Sequence, residues 1–214
     1  MIAITLTHIA QLAPSARSSY RTAFEHGQPD LDAAGISANA LRVAHFMAQV
    51  LHECGGLTIQ FENLNYSARR LPEVWPRRFK PLGPLNPADY AHQPEKLANT
   101  VYGGRMGNVQ PGDGYRYRGR GLLQTTGRDG YRQVTTRVRA LYPTAPDFET
   151  DPDLVLSPDW SLRAAIAMWT WKGCNALADM DSIEKITLAI NGGRTGLADR
   201  LEWLRRTKRV WGSG

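Results

Sequence analysis

The sequence predicts one mainly helical α+β domain, and three observations support this prediction. Apolar residues recur at helical spacing over most of the chain, whereas a central stretch is rich in glycine, arginine and tyrosine. A chain of 214 residues is long enough to bury a full core. Neither a repeat nor a low-complexity tract divides the sequence. We therefore expect residues 1–214 to form a single domain.

Helices are predicted at both ends of the chain. An opening helix is expected near residue 4, and the most regular helix runs over residues 37–54, with Ser37 as the N-cap candidate. Gly55 and Gly56 follow it, and glycines commonly end helices. Later helices are predicted over residues 127–141, 157–172, 182–190 and 196–210.

The middle of the chain has a different pattern. Prolines are dense between residues 71 and 94, which limits this stretch to loops and short helical turns. Residues 115–118 and 122–125 flank a glycine-containing turn and predict a small central β-hairpin. The stretch 71–114 is therefore expected to form a loop-rich lobe or a cleft wall.

Charge narrows the possible partners. Lysine and arginine number 26 against 20 acidic residues, for a net charge of +6. A basic surface favours polyanions such as nucleic acid, anionic lipid or an acidic cell-wall polymer, although it can also serve solubility alone. No apolar run approaches the roughly 20 residues that cross a bilayer. Polar residues interrupt the N-terminal apolar stretch, so we expect no signal peptide and synthesis in the cytoplasm.

Several kinds of site are excluded by their motifs. The sequence has no GxxxxGK[ST] loop, no GxGxxG after a strand and no GxSxG elbow. His52-Glu53 begins like a zinc-protease motif, but Gly56 stands where its second histidine would be. His45 and His52 are better explained by helix packing than by metal binding. No metal and no cofactor are therefore expected.

Two carboxylates are the strongest catalytic candidates. Glu53 lies at the end of a largely apolar helix, where burial and the negative end of the helix dipole both disfavour a charged carboxylate. A general acid needs this bias toward the protonated form. Glu62 follows in an aromatic and amide-rich loop. Such a pair is typical of glycoside hydrolases, but spacing alone leaves open that Glu53 only pairs with an arginine.

The segments around these carboxylates resemble glycoside hydrolase family 19, above all its branch of phage endolysins and bacterial peptidoglycan hydrolases. The similarity follows the family order along nearly the whole chain. The matching segments are residues 48–56, 61–67, 101–108, 112–127, 189–193 and 199–200.

This resemblance implies a lysozyme-like fold and inverting hydrolysis of β-1,4 links beside N-acetylated sugars. Carried over by position, Glu53 matches the general acid and Glu62 the general base. Inversion requires these carboxyls to stand roughly 6.5–9.5 Å apart, with a water between sugar and base. The remaining matches are Thr126, which helps to position that water, Gln124 and Asn191, which line the sugar cleft, and Arg200, which lies near the catalytic centre.

Two departures from the family pattern concern single positions. Cys54 follows the acid where serine is more familiar, and a small side chain suffices there. Gly130 precedes Tyr131 where an asparagine often stands, which removes one candidate sugar contact. Four tyrosines can stack on sugar rings or close a small hydrophobic core, and both interpretations stay open. They are Tyr66, Tyr102, Tyr115 and Tyr117, of which the first two are the substrate-binding candidates.

The leading functional hypothesis is an endolysin-type, bacteriolytic N-acetylmuramidase that cleaves the peptidoglycan glycan. It would act on the cell wall or periplasm after release through a holin pore or a secretion system, as a monomer in weak contact with the anionic envelope. The first alternative is a chitinase acting on poly-N-acetylglucosamine. The second is a non-catalytic module that binds the wall or a polyanion, and nucleic acid is not an expected partner.

Overall fold

The computed structural model describes residues 1–212, and these residues are mainly helical. None of their helices is long and apolar enough to cross a membrane. The α-helices within this range are α1 (Leu6–Leu12), α2 (Ser18–His26), α3 (Gln28–Ala33), α4 (Ala40–Glu53), α5 (Leu71–Val74), α6 (Pro94–Tyr102), α7 (Asp113–Arg116), α8 (Arg128–Leu141), α9 (Ser161–Trp171), α10 (Cys174–Asp179), α11 (Ile183–Asn191) and α12 (Leu197–Trp211). Short 3₁₀ helices span Ile36–Ala38, Pro87–Asp89 and Pro152–Leu156.

Helix α4 is the central element of the fold. It begins after Asn39, whose side chain accepts a hydrogen bond from the backbone N–H of Arg42 at 2.9 Å. The N-cap prediction at Ser37 was wrong, because the Ser37 hydroxyl is buried and donates to Asp32 instead. Nine successive residues of α4, from 43 to 51, are buried. Because α4 is packed on all sides along these residues, the position of its last residue, Glu53, is fixed.

The largest core packs around α4. Phe46 meets Trp169 of α9 edge to face, with ring centroids 5.3 Å apart. Helix α12 runs along another side of α4, where Leu204 joins a cluster with Ala44 and Ala48. Cys54 lies in the same interior as a free, buried thiol, and burial raises its pKa to about 12. The end of α4 is therefore enclosed by α12 as well as by the main core.

The central stretch has a small core of its own. Leu71, Phe79, Leu97 and Val101 are fully buried together beneath the proline-rich loops. The lobe also contains α6, a helix that the expectation of a loop-rich stretch over 71–114 did not include. Pro94 stands in the first turn of α6, where a missing N–H costs nothing because that group has no partner in the helix.

The β structure is smaller than the hairpin predicted. Arg120 and Thr125 exchange backbone hydrogen bonds of 3.0 and 2.8 Å around the turn, and Phe61 forms a second antiparallel bridge with Arg120. The first strand, expected over 115–118, was wrong, because α7 occupies Asp113–Arg116. The second strand, expected over 122–125, was also wrong, because residues 121–124 form the turn itself and only Thr125 pairs with Arg120. This turn and the bridge to Phe61 join the loop after α4 to the segment before α8.

Candidate active site

Glu53 lies against a buried arginine. It is the last residue of α4, its side chain is 15% exposed, and its Oε1 accepts a hydrogen bond from Nη2 of Arg200 on α12. Arg200 is 2% exposed and also donates through Nη1 to Oε1 of the buried Gln49. The arginine pairing left open by the sequence is thus present, and its partner is Arg200.

Glu62 is held by two donors in the loop that follows α4. Its Oε1 accepts the backbone N–H of Gly119 at 2.6 Å, and its Oε2 accepts the hydroxyl of Tyr102 at 2.7 Å. Burial raises the pKa of Tyr102 above its usual range, and the Glu62 carboxylate raises it further. The phenol therefore keeps its proton and remains a donor. These bonds fix the Glu62 side chain as a hydrogen-bond acceptor.

Gly119 is the point where three candidate side chains meet. A Cβ added there would lie 2.9 Å from Oε1 of Gln124, 3.1 Å from Oγ1 of Thr126 and 3.3 Å from Cβ of Glu62. The Arg120–Thr125 turn thus carries Gln124 and Thr126 to the side of Glu62. The Thr126 hydroxyl donates to the Gln124 carbonyl at 3.2 Å, which orients it within this group.

A groove opens beside Glu62. Tyr115 and Arg118 form part of its wall, with the Arg118 guanidinium 4.0 Å from the centre of the Tyr115 ring. A pocket of about 270 Å³ at this point is lined by Phe61, Glu62, Asn63, Leu64, Asn65, Pro94, Tyr115 and Arg118. A second pocket, of about 560 Å³, adjoins it across Pro94 and Tyr115 and is lined by Gln93, Glu95, Lys96 and Asn99 as well. Together they make an open, polar surface suited to an extended chain.

The structure places the four tyrosines in different environments. Tyr102 contacts Glu62 and Tyr115 lines the groove, whereas Tyr117 is 2% exposed and belongs to the core. Tyr66 is half-buried and packs edge to face on Trp75, with centroids 5.2 Å apart. The sugar-stacking interpretation therefore does not apply to Tyr117, and Tyr66 has at least one face engaged within the lobe.

The structure departs from the predicted site at two residues, Asn191 and Arg118. Asn191 ends α11, and its side chain reaches the Gly193 carbonyl at 3.5 Å. Within residues 1–212 it forms no hydrogen bond with Glu53 or Glu62. Arg118 lines the groove but is not among the site residues predicted from sequence. The only sequence signal near it is the central stretch rich in glycine, arginine and tyrosine.

The histidines are explained by carboxylate partners. His45 is buried and contacts Asp181 at 2.8 Å, and burial lowers its pKa. His52 contacts Asp199 at 2.6 Å across the interface of α4 and α12. Among the residues that the structure describes, no group of three or more His, Cys, Asp or Glu side chains could hold a metal ion. The helix-packing interpretation is the one that the contacts favour.

Solved structures share this architecture. Chitinase C from Streptomyces griseus HUT6037 aligns with a TM-score of 0.61 at 17% identity, over 99% of this chain and 77% of its own. A bacterial family 19 chitinase aligns with a TM-score of 0.59 at 20% identity, over 99% of this chain and 96% of its own. The lysozyme-like, mainly helical fold predicted from the sequence is confirmed, and it is the fold of a class of glycoside hydrolases.

Sequence comparison gives the family. No family model matches the chain. A glycosyl hydrolase family 19 domain-containing protein of Haemophilus influenzae is 39% identical over 169 residues, which cover 78% of each protein. The chain belongs to glycosyl hydrolase family 19 and is a glycoside hydrolase.

Proposed function

We propose that this protein hydrolyses the β-1,4 glycan of bacterial peptidoglycan between N-acetylmuramic acid and N-acetylglucosamine, with inversion. The observation that carries the proposal is the contrast between two carboxylates. Glu53 ends a buried helix against a buried arginine, whereas Glu62 lies in a groove and is held by two neutral donors. Environments that differ in this way suit an acid and a base in one reaction.

Each group has a role in this mechanism. Glu53 protonates the glycosidic oxygen, and Glu62 takes a proton from the attacking water on the opposite face of the sugar. The Tyr102 hydroxyl and the Gly119 N–H orient the Glu62 carboxylate, while Thr126 lies close enough to help position the water. The bond from the sugar carbon to the glycosidic oxygen breaks as the bond from that carbon to the water oxygen forms. Glu53 gives up one proton and Glu62 takes one up, so the step balances.

Charge supports peptidoglycan as the substrate. The chain carries a net charge of +6. The two adjoining pockets are themselves balanced, with Arg118 and Lys96 against Glu62 and Glu95. Peptidoglycan bears carboxylates on its lactyl-linked peptides, whereas chitin is neutral, so the positive net charge of the chain favours the former. We also propose synthesis in the cytoplasm and release to the wall through a holin pore or a secretion system.

Chitin is the second candidate. Two proteins with this fold are described as chitinases. Their similarity favours poly-N-acetylglucosamine as an alternative substrate for the same pair of carboxylates. Reducing ends released from purified chitin, with none released from peptidoglycan, would decide for it.

Product analysis tests the proposal. Purified peptidoglycan is treated with wild type and with Glu53→Gln, and the soluble products are identified by mass spectrometry. We expect muropeptides that end in reducing N-acetylmuramic acid from the wild type and none from the variant. No glycan cleavage by either protein would overturn the muramidase proposal, and failure on chitin as well would favour a non-catalytic binding module.

The base is tested separately. We expect Glu62→Gln to lose at least about a hundredfold in turnover, because general base catalysis contributes on that order. Added azide can replace the activated water, and formation of a glycosyl azide would support the assignment. Unimpaired turnover by Glu62→Gln would contradict it.

A further inference from the structure

We infer that Tyr131 and Arg120 are positioning residues for Glu62, acting through the peptide bond between Arg118 and Gly119. The inference rests on the proposed role of Glu62 as the base. Neither residue touches Glu62 itself. Both bind the far end of the peptide group whose N–H holds the Glu62 carboxylate.

One peptide unit connects the three residues. Its carbonyl, that of Arg118, accepts the Tyr131 hydroxyl at 2.8 Å and Nη1 of Arg120 at 3.1 Å. Its N–H, that of Gly119, donates to Oε1 of Glu62 at 2.6 Å. Two donors thus act on the oxygen of a peptide whose hydrogen faces the carboxylate.

Hydrogen bonds in series strengthen one another. Donors to a peptide carbonyl polarise the amide, so its N–H becomes a better donor to the next acceptor. They also fix the rotation of the peptide plane, which sets the direction in which the N–H points. Through both effects the pair Tyr131 and Arg120 holds the Glu62 carboxylate in one orientation.

The surroundings make this arrangement rigid. Arg120 is 4% exposed, donates to the Arg116 carbonyl at 2.7 Å and pairs with Asp153 at 2.7 Å. It also donates to the Tyr131 hydroxyl at 3.0 Å, so that hydroxyl receives one bond and gives another. Burial raises the pKa of Tyr131 to about 12, which keeps the phenol protonated as a donor.

Tyr131→Phe removes no charged group near this peptide. Arg118, Arg120 and Asp153 face Tyr131. On the other side, the Tyr102 hydroxyl touches Glu62, Arg105 acts on Tyr102 and Arg118 lines the same pocket. The substitution removes the two bonds of the hydroxyl, the one given to the Arg118 carbonyl and the one received from Arg120.

A matched tyrosine provides the control. Tyr117 packs against Tyr131 in the same core cluster, and its hydroxyl donates to the Glu149 carbonyl at 3.0 Å. Tyr117→Phe thus removes a buried bond of the same kind from the same core without touching the Arg118–Gly119 peptide.

The experiment compares kcat, KM and melting temperature of both variants, on the glycan that the wild type cleaves. For Tyr131→Phe we expect kcat to fall about tenfold with little change in KM, since part of the general-base contribution is lost. Tyr117→Phe should lose similar stability but keep the kcat of the wild type. Arg120→Lys, which keeps the charge, should lower kcat in the same way as Tyr131→Phe.

Two outcomes separate the inference from the proposed function. Equal kcat values of Tyr131→Phe and Tyr117→Phe, with equal losses of melting temperature, would overturn the positioning role. Full turnover by Glu62→Gln would instead show that Glu62 is not the base. A kcat of Tyr131→Phe that falls below that of Tyr117→Phe, while Glu62→Gln stays inactive, is the result that supports both.

Discussion

Arg200 on α12 and Glu53 at the end of α4 form a buried ion pair, and the same guanidinium reaches Gln49 one turn earlier on α4. The pair links the two helices that enclose the site. It also fixes the place of the Glu53 carboxyl, because Arg200 is 2% exposed and is bound to Gln49 at the same time. Arg200 therefore positions the residue that we propose as the general acid.

Arg200→Met should weaken both the fold and the reaction. Removing one partner of a buried ion pair costs on the order of 3 kcal/mol in the free energy of unfolding, measured by urea denaturation. Glu53 loses the contact that fixes its carboxyl, and misplacement of a catalytic group by about 1 Å can cost about a hundredfold in rate, so kcat should fall. Arg205→Met, at an exposed position of α12 paired with Glu202, is the control and should change neither quantity. A kcat of Arg200→Met equal to that of wild type would show that this contact does not position Glu53.

Tyr102→Phe should weaken the base without disturbing the fold. The substitution removes the 2.7 Å bond to Oε2 of Glu62 and leaves the Gly119 N–H in place. We expect kcat to fall about tenfold, because one of the two donors that orient the general base is lost. Steady-state kinetics measure kcat, and thermal denaturation checks that the fold is unchanged. A kcat equal to that of wild type would contradict the role of this hydroxyl.

Site residues that lie in recognisable sequence motifs could be predicted from the sequence. Residues that act on the site through a backbone peptide group could not. Glu53, Glu62 and Arg200 lie in segments whose order resembles a family, and the structure brings Arg200 onto Glu53. The predicted separation of the two carboxyls remains a prediction. Tyr131 acts through the Arg118 carbonyl, and no sequence pattern encodes a contact between a side chain and a distant peptide group.

Helix boundaries show the same limit. Ser37 and Asn39 are both good N-caps by type, and only the tertiary contact of Ser37 with Asp32 leaves the role to Asn39. Helix α7 replaces a predicted strand where Gly112 adopts a left-handed conformation, with a φ of 87°, and the turn brings Tyr117 into the core. The burial of Tyr117 determined the conformation of this segment. A pattern of four residues is too short to distinguish a helical turn from a strand.

Gly119→Ala should cost activity far more than stability. The added methyl would lie 2.9 Å from the Gln124 amide and 3.1 Å from the Thr126 hydroxyl, inside normal contact distance. The end of the flexible Gln124 side chain must turn away, and Thr126 must give by a few tenths of an ångström. We therefore expect a loss of rate of about tenfold, below the roughly hundredfold that a misplacement of about 1 Å can cost. Gly130→Ala is the control, because its nearest neighbour is a Thr125 methyl at 3.7 Å. Equal activity of the two variants would show that the packing around Gly119 does not matter.

Glu149 should make stability depend on pH in a defined window. Arg132 and Arg128 of α8 hold the pKa of Glu149 at about 2, below its ordinary value of 4.5. Because the folded-state pKa is depressed, the stabilisation is complete above about 4.5 and is lost as the pH falls toward about 2. Melting temperatures of wild type and Glu149→Gln should therefore differ at pH 7 and converge near pH 2, whereas the exposed Glu25→Gln should match the wild type at both. A difference in melting temperature that stays constant with pH would show that the charge of Glu149 does not stabilise its contact with α8.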